Sequence, residues 1–451
     1  MDDNIKIPSS DEYKIGLCGF NNIGNTCYMN SILQLLIHSS LIINFLQSKS
    51  NPFIGNIKNK TFVELILDGN IDATFIEFLK TNILDELEEK ERKKFGLPNN
   101  TEVNIYKNDY KKYLEKSLTV KLSEIINTII YKGYCTINPI SFKNVIDIKI
   151  PTLRGFGQQD AHELLNYLLD NIIEETGINS EPKINNVPNT IIEYNNLLHN
   201  IKQQIQETKI NDERKKIINS LNEYKKKNID VINKYNGLKY MTHVYEDKRQ
   251  NSLNTSTTGY NPLLFNLLTF NVNIFKCTIC NDEINKYEYN TILCLQVKPT
   301  LKECFESYVN EEKLDRICNI CKNNTSTSKK IIWRPGILLF LQLGRFKNMP
   351  DGRICKNNSY VEIPHQIDIS EFCDNSMKTE KSKSLSYKYC LKGISNHIGS
   401  LNGGHYTSDC VSIMDEKTWY HFDDSRVGKY SGINIDTSNA YILMYEMMFD
   451  E

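Results

Sequence analysis

Apolar positions along the chain follow two different periods. In the N-terminal part the spacing is helical. Met29, Ile32, Leu33 and Leu36 obey the i, i+3, i+4, i+7 rule of a buried helix face. The Gly- and Asn-rich stretch Gly19-Phe20-Asn21-Asn22-Ile23-Gly24-Asn25-Thr26 leads into this helix and puts Cys27 at or beside its N-terminus. Residues 55–135 read as mostly helical, and the charged run at 84–94 as a solvated helix face. A second clear helix follows the turn-like segment 152–160, with Ala161, Leu164, Leu165, Leu168 and Ile172 on one face. Asp160 and Glu163 fall in its first turn, where carboxylates complement the helix dipole.

Residues 178–262 change character. They are rich in Asn, Lys and Ile, with one or two exposed helices predicted over 201–236 and a polar linker over 251–259. The region reads as an insertion, part helical hairpin and part disordered. It offers room for a protein partner, but a tolerated surface excursion is the plainer reading. Beyond it the period becomes that of strands. Runs at 263–272, 287–297, 331–342, 387–396, 405–413, 418–422 and 440–448 carry alternation and aromatic or β-branched residues.

Composition narrows the class. The chain has 451 residues, long enough for two or three subdomains, and its formal net charge is −1. That balance gives no field that would favour nucleic acid or an anionic membrane. The longest apolar stretch, Ile337-Leu338-Leu339-Phe340-Leu341, is far too short to span a bilayer. No N-terminal secretory pattern is present, and the 13 cysteines are odd in number, which points to a reducing compartment rather than a disulfide framework.

Three groups of residues carry chemistry. Cys27 before a helix is the first, because the positive end of the helix dipole lowers a thiol pKa from its free value of about 8.5. From that stretch alone, a reactive thiol and a buried structural cysteine stand even. The second group is Cys277-Thr278-Ile279-Cys280 with Cys318-Asn319-Ile320-Cys321, two knuckles whose four sulfurs would complete one closed, structural zinc site. The third lies near the C-terminus. His405 follows Gly403-Gly404 at the start of a strand, and a hairpin to Thr418–Phe422 would bring Asp423 or Asp424 beside it. A carboxylate that orients an imidazole is the base half of a nucleophile–base–orienter triad. His38, His162, His199, His243, His365, His397 and His421 read as histidines bonded to carbonyls, with His397 the nearest rival to His405.

Together these blocks resemble the ubiquitin-specific protease family of cysteine deubiquitinases. The resemblance rests on Gly24-Asn25-Thr26-Cys27-Tyr28-Met29-Asn30-Ser31, Gly157-Gln158-Gln159-Asp160-Ala161-His162-Glu163-Leu164-Leu165, Ser395–Gly399 with Gly403–Tyr406, Trp419–Asp424 and Ala440–Tyr445. It implies an α+β, papain-like core over 14–450. A helical thumb would occupy 14–175 (with an insertion at about 55–150), zinc-binding β fingers 263–335 and an antiparallel β palm 336–450. It implies thiol-dependent hydrolysis after the C-terminal glycine of ubiquitin, with Cys27 as nucleophile, His405 as base, and Asp423 as orienter. Asp424 is the alternate or a support, and Asn22 the oxyanion donor. Gln158 and Asp160 would hold the ubiquitin tail, with Gly403 and Gly404 leaving room for its Gly-Gly end. Cys277, Cys280, Cys318 and Cys321 would hold one Zn2+, with no catalytic cofactor. Partners would be ubiquitin and ubiquitinated proteins, with no nucleic acid and no membrane. The compartment would be the cytoplasm, with the nucleus as a second address and the host cytoplasm for a viral source. A catalytically weak ubiquitin-binding scaffold and a protease for another ubiquitin-like modifier are the alternatives. The chain departs from the family at Gly344, where a second basic residue is common, and in the insertions at 55–150 and 178–262.

Overall fold

A computed structural model describes residues 16–47, 116–132, 136–176, 188–207, 211–251, 266–318, 321–348, 352–374, 387–400, 403–430 and 437–448. Its helices are α1 (Cys27–Ile37), α2 (Ser40–Gln47), α3 (Leu118–Lys132), α4 (Ile140–Lys149), α5 (Ala161–Thr176), α6 (Asn189–Glu207), α7 (Asn211–Lys227), α8 (Ile229–Asn251) and α9 (Leu301–Tyr308). Its strands begin with β1 (Gly19–Phe20), β2 (Thr136–Ile137), β3 (Thr269–Cys277), β4 (Glu283–Asn290), β5 (Ile292–Gln296), β6 (Glu311–Leu314), β7 (Ser326–Arg334) and β8 (Leu338–Gly344). They continue with β9 (Phe346–Asn348), β10 (Ile354–Lys356), β11 (Gln366–Asp368), β12 (Lys388–Ser400), β13 (Gly403–Val411), β14 (Trp419–Asp423), β15 (Arg426–Lys429) and β16 (Ala440–Met447). The charged run at 84–94 and most of the predicted helical stretch before α3 lie outside the described residues, as does most of the linker at 251–259.

The class is α+β. A large sheet has the order β15-β14-β13-β12-β16-β8-β5, with β11 added beside β12, and a four-stranded sheet has the order β4-β3-β7-β6. The central strands of the large sheet are buried on both faces. In β8, Leu338 and Phe340 join one core while Leu339, Leu341 and Leu343 join the other. β16 repeats the pattern, with Ile442 and Met444 against Leu443 and Tyr445. Successive side chains of a strand point to opposite faces, so both strands read as unbroken apolar runs. α1 covers one face and is buried on every side, as a helix apolar nearly all round must be. Its polar residues are paired inside: Ser31 Oγ lies 3.0 Å from Ser395 Oγ, and Gln34 Nε2 donates to the Cys18 carbonyl at 2.7 Å.

Two predicted strands are each two strands in different sheets. The run 287–297 breaks at Thr291: β4 belongs to the small sheet and β5 pairs with β8 in the large one. The run 331–342 breaks at Pro335-Gly336 between β7 and β8. Proline cannot donate to a ladder. A Cβ on Gly336 would stand 2.8 Å from the Asn266 carbonyl oxygen, so the crossing is tight. The chain therefore passes from the small sheet to the large one twice, returning between them at β6.

Residues 189–251 depart from the expected surface excursion. They form three helices, and the last enters the core. Gly237, Tyr240, Met241 and Val244 share one face of α8. A Cβ on Gly237 would lie 2.1 Å from the Trp333 ring, Tyr240 packs on Phe270 and Tyr287, and Met241 and Val244 are buried. α7 also reaches the small sheet, where Lys225 Nζ donates to the Glu283 carbonyl and Asn222 Nδ2 to that of Asn281.

Candidate active site

Cys27 is the first residue of α1 and is 2% exposed. The loop before it is tied by Asn22, whose Oδ1 accepts from the backbone N–H groups of Gly24 and Thr26, both at 3.1 Å. Gly24 and Asn25 take positive φ, +119° and +50°, a region Gly and Asn enter at least cost. α1 packs on β13, the strand that carries His405. β13 pairs antiparallel with β14, from Ser408 opposite Phe422 to Val411 opposite Trp419. At the open end of that hairpin His405 Nε2 lies 2.6 Å from Asp423 Oδ1. This bond occupies one ring nitrogen and leaves Nδ1 to take a proton.

Asp424 does different work from Asp423. Its Oδ2 accepts from Asn22 Nδ2 at 2.9 Å and its Oδ1 from Asn30 Nδ2 at 2.8 Å, while its backbone carbonyl accepts from the Phe20 N–H. It holds positive φ, +51°. Asp424 thus fastens the end of β14 to the loop before Cys27 and anchors the Asn22 amide.

The thiol departs from the depressed pKa that a helix N-terminus predicts. Burial pushes the Cys27 thiol up, and the Asp424 charge adds to it; the backbone N–H groups of Tyr406, Tyr28 and Cys27 pull the other way and lose. Desolvation of an anion in a closed core outweighs the dipole here. The resting group is a thiol that needs a base.

Gln158 reaches the same loop, and Asp160 stands at the start of α5. Gln158 Nε2 donates to Asn25 Oδ1 at 3.2 Å, and Asn25 Nδ2 donates to the Phe156 carbonyl at 2.8 Å. Asp160 caps α5, its Oδ1 accepting from the His162 N–H at 2.7 Å, and its Oδ2 accepts from the Tyr441 hydroxyl at 2.8 Å. The two glycines differ from each other. A Cβ on Gly403 meets nothing within 4 Å, whereas one on Gly404 would stand 2.2 Å from His397 Nε2. Gly404 is small for the sake of the histidine beneath it. His397 is 4% exposed and lies against Phe346, Tyr406 and Tyr441. Burial, helped by Lys356, lowers its pKa to about 4.

Cys277, Cys280, Cys318 and Cys321 converge at the far end of the small sheet, their sulfurs all within 4.8 Å of one another. Cys277 and Cys321, like Cys280 and Cys318, are 3.6 Å apart. A disulfide is about 2.05 Å, while a tetrahedron of Zn–S bonds near 2.3 Å has edges of about 3.75 Å. The two knuckles are built alike: Asn281 N–H donates to the Cys277 carbonyl and Lys322 N–H to that of Cys318, each at positive φ. The four cysteines form a cluster that could hold one metal ion.

Four groups around the site were given no part in its chemistry by the motif reading. Asn30 is an amide on an apolar helix three residues beyond Cys27, and that placement was its signal. Tyr441 gave none inside an apolar strand. Arg345 is fully buried and donates to the carbonyls of Ala440, Asn357, Ser359 and Thr437. His421, expected on a carbonyl, instead has Nδ1 2.7 Å from Oδ1 of the buried Asp409.

The chain is similar to known proteins in sequence and in fold. The sequence profile of the family described as "Ubiquitin carboxyl-terminal hydrolase" matches residues 18–445. A probable ubiquitin carboxyl-terminal hydrolase of Acanthamoeba polyphaga mimivirus is 25% identical over 98% of this chain and 92% of its own length. Ubiquitin carboxyl-terminal hydrolase 9 of Arabidopsis thaliana is 33% identical over 38% of this chain and 18% of that protein. Among solved structures, a chain of the SAGA Ubp8/Sgf11/Sus1/Sgf73 DUB module bound to monoubiquitin superposes with a TM-score of 0.59 at 18% identity, over 99% of this chain and 72% of that one. The same module bound to ubiquitin aldehyde gives 0.57 at 19%, over 98% and 72%. At these identities the structures speak for the fold.

Proposed function

Because the chain belongs to the ubiquitin carboxyl-terminal hydrolase family, we propose that Cys27, His405 and Asp423 carry out its thiol-dependent hydrolysis after the last glycine of ubiquitin. The observation that carries this reading is the bond of 2.6 Å between His405 Nε2 and Asp423 Oδ1, on the strand that packs against the helix headed by Cys27. His405 Nδ1 removes the Cys27 proton as the sulfur attacks the glycine carbonyl. The carbonyl oxygen becomes an oxyanion, and the Asn22 amide, held by Asp424, stabilises it with the Cys27 N–H. Collapse expels the lysine amine, which takes the proton from His405. Water then attacks the thioester, gives a proton to His405 and frees the ubiquitin carboxylate and the thiol.

In this reading the helices through α5 form the thumb, the small sheet the fingers and the large sheet the palm. Ubiquitin rests on the fingers and sends its tail between thumb and palm. Gln158 and Asp160 line the tail's path, and the Asp160 carboxylate suits its arginines. Gly403 leaves its side of the path open. Cys277, Cys280, Cys318 and Cys321 hold one Zn2+, which supplies rigidity to the fingers and no catalysis. Hydrolysis of a ubiquitin conjugate by the wild type and Cys27→Ala tests the assignment. The variant is expected to bind ubiquitin without turnover; turnover by the variant would remove Cys27 from the reaction.

A further inference from the structure

The hairpin that carries the catalytic pair holds a second histidine–aspartate pair, with the roles exchanged between strands. His405 lies on β13 and Asp423 on β14; Asp409 lies on β13 and His421 on β14. Residues two apart on a strand share a face, so 405, 407 and 409 line one side of β13, and 421 and 423 the same side of β14. Asp409 and His421 are directly opposed in the register. Asp409 is 1% exposed. Its Oδ1 accepts from His421 Nδ1 and from the Tyr430 hydroxyl, both at 2.7 Å, and its Oδ2 from Asn396 Nδ2 at 2.5 Å. A carboxylate taken out of water is retained only with such a set of donors. The network spans β12, β13, β14 and the residue just past β15.

We propose that Asp409 and His421 form a positioning pair that clamps β14 onto β13 and so fixes Asp423 against His405. β14 sits one strand from the edge of the sheet, bounded outside only by the short β15. Its seat on β13 rests on a register of four residue pairs. Asp423 is the last residue of β14, so a small slide or twist of that strand moves its carboxylate off the imidazole. Misplacement of a catalytic group by about 1 Å costs on the order of a hundredfold. His421 touches no reacting atom; it acts through Asp409. The titratable groups that face it are Asp409 from β13, Tyr430 beyond β15 and Asp423 on its own strand, while β15 presents Gly428 opposite it. The hydrogen bond to Asp409, outweighing burial, raises the His421 pKa. The clamp is therefore an ion pair in acid and a neutral hydrogen bond above the raised pKa.

This inference rests on Cys27, His405 and Asp423 being the triad. The test is kcat and KM of the wild type and His421→Gln on a fluorogenic ubiquitin amide across the pH range. His421 is half-exposed, so the variant is expected to fold, and Gln keeps a donor without the charge. The ratio of wild-type to variant kcat is expected to be about threefold below the raised His421 pKa and to fall toward one above it, at unchanged KM. Tyr430→Phe, which leaves the His421–Asp409 pair, is expected to lower kcat without that pH trend. A ratio independent of pH, or a loss expressed in KM, overturns the proposal. Cys27→Ala run alongside keeps the two readings apart: activity in that variant would fault the triad, not the clamp.

Discussion

Asp424→Asn separates the two adjacent carboxylates most sharply. Asn tolerates the left-handed backbone at this position, φ +51°, so the turn survives. The acceptors do not. Asp424 offers Oδ1 to Asn30 and Oδ2 to Asn22, and a carboxamide can replace only one of them. Asn30 is 3% exposed, and its other acceptors, the Phe20 and Asn21 carbonyls, lie farther off at 3.5 and 3.3 Å; a buried donor that loses its best partner costs about 1–3 kcal/mol, so the amide oxygen stays with Asn30. The new NH2 then faces the Asn22 NH2 and turns that donor from the oxyanion. Loss of one oxyanion donor costs about 2.7–4 kcal/mol. The Cys27 N–H remains, so the lower end applies: kcat falls about a hundredfold with KM within about twofold. The same change removes an anion that raises the Cys27 pKa, so alkylation of Cys27 by a small neutral reagent is expected to reach its midpoint at lower pH. The variant is thus a poorer enzyme with a more ionised thiol. An unchanged kcat, or an alkylation midpoint moved upward, refutes the assigned role of Asp424.

Three further outcomes are expected. The purified protein should carry about one zinc ion per chain; chelation should release it and lower the affinity for ubiquitin, and zinc-free protein of normal affinity would contradict the site. Gly237→Val places a branched side chain where a Cβ already meets Trp333 at 2.1 Å, and urea unfolding should show a loss of about 1–3 kcal/mol. A loss below about 0.5 kcal/mol would return α8 to the surface. His38 and His397 are both buried, and burial, the largest cause at each, lowers their pKa to about 4. The unfolded chain therefore binds these protons first. The stability they contribute is complete above about pH 6.5 and is lost as pH falls toward 4, by about 3 kcal/mol at each site. Stability that is flat across that window would contradict their burial.

The sequence carried the helix of Cys27, the capped α5 and the hairpin of His405, because each combines an uninterrupted period with a chemically marked end. It concealed the sheet crossings at Thr291 and Pro335-Gly336, since a run buried in one sheet looks the same when it continues in another. The core face of α8 was written at helical spacing, but Gly237 gives no apolar signal and the surrounding Asn and Lys residues mask Tyr240, Met241 and Val244. At the site, His405 and Asp423 were legible as a pair because a hairpin fixes distance. The resemblance offered Asp424 as alternate or support, but how it acts was not legible, since that depends on a backbone turn at Asp424 and on Asn30 from another element. Nor did the dipole argument at Cys27 contain the desolvation that overrides it.

The most direct test is to incubate the protein with ubiquitin bearing a thiol-reactive electrophile at its C-terminus, with Cys27→Ser alongside, and to map the adduct. The account predicts one covalent adduct, on Cys27, formed by the wild type alone. No adduct from folded protein carrying its metal, or an adduct on another cysteine, would contradict it, and the same probe on other ubiquitin-like proteins would then show whether the site serves a different modifier.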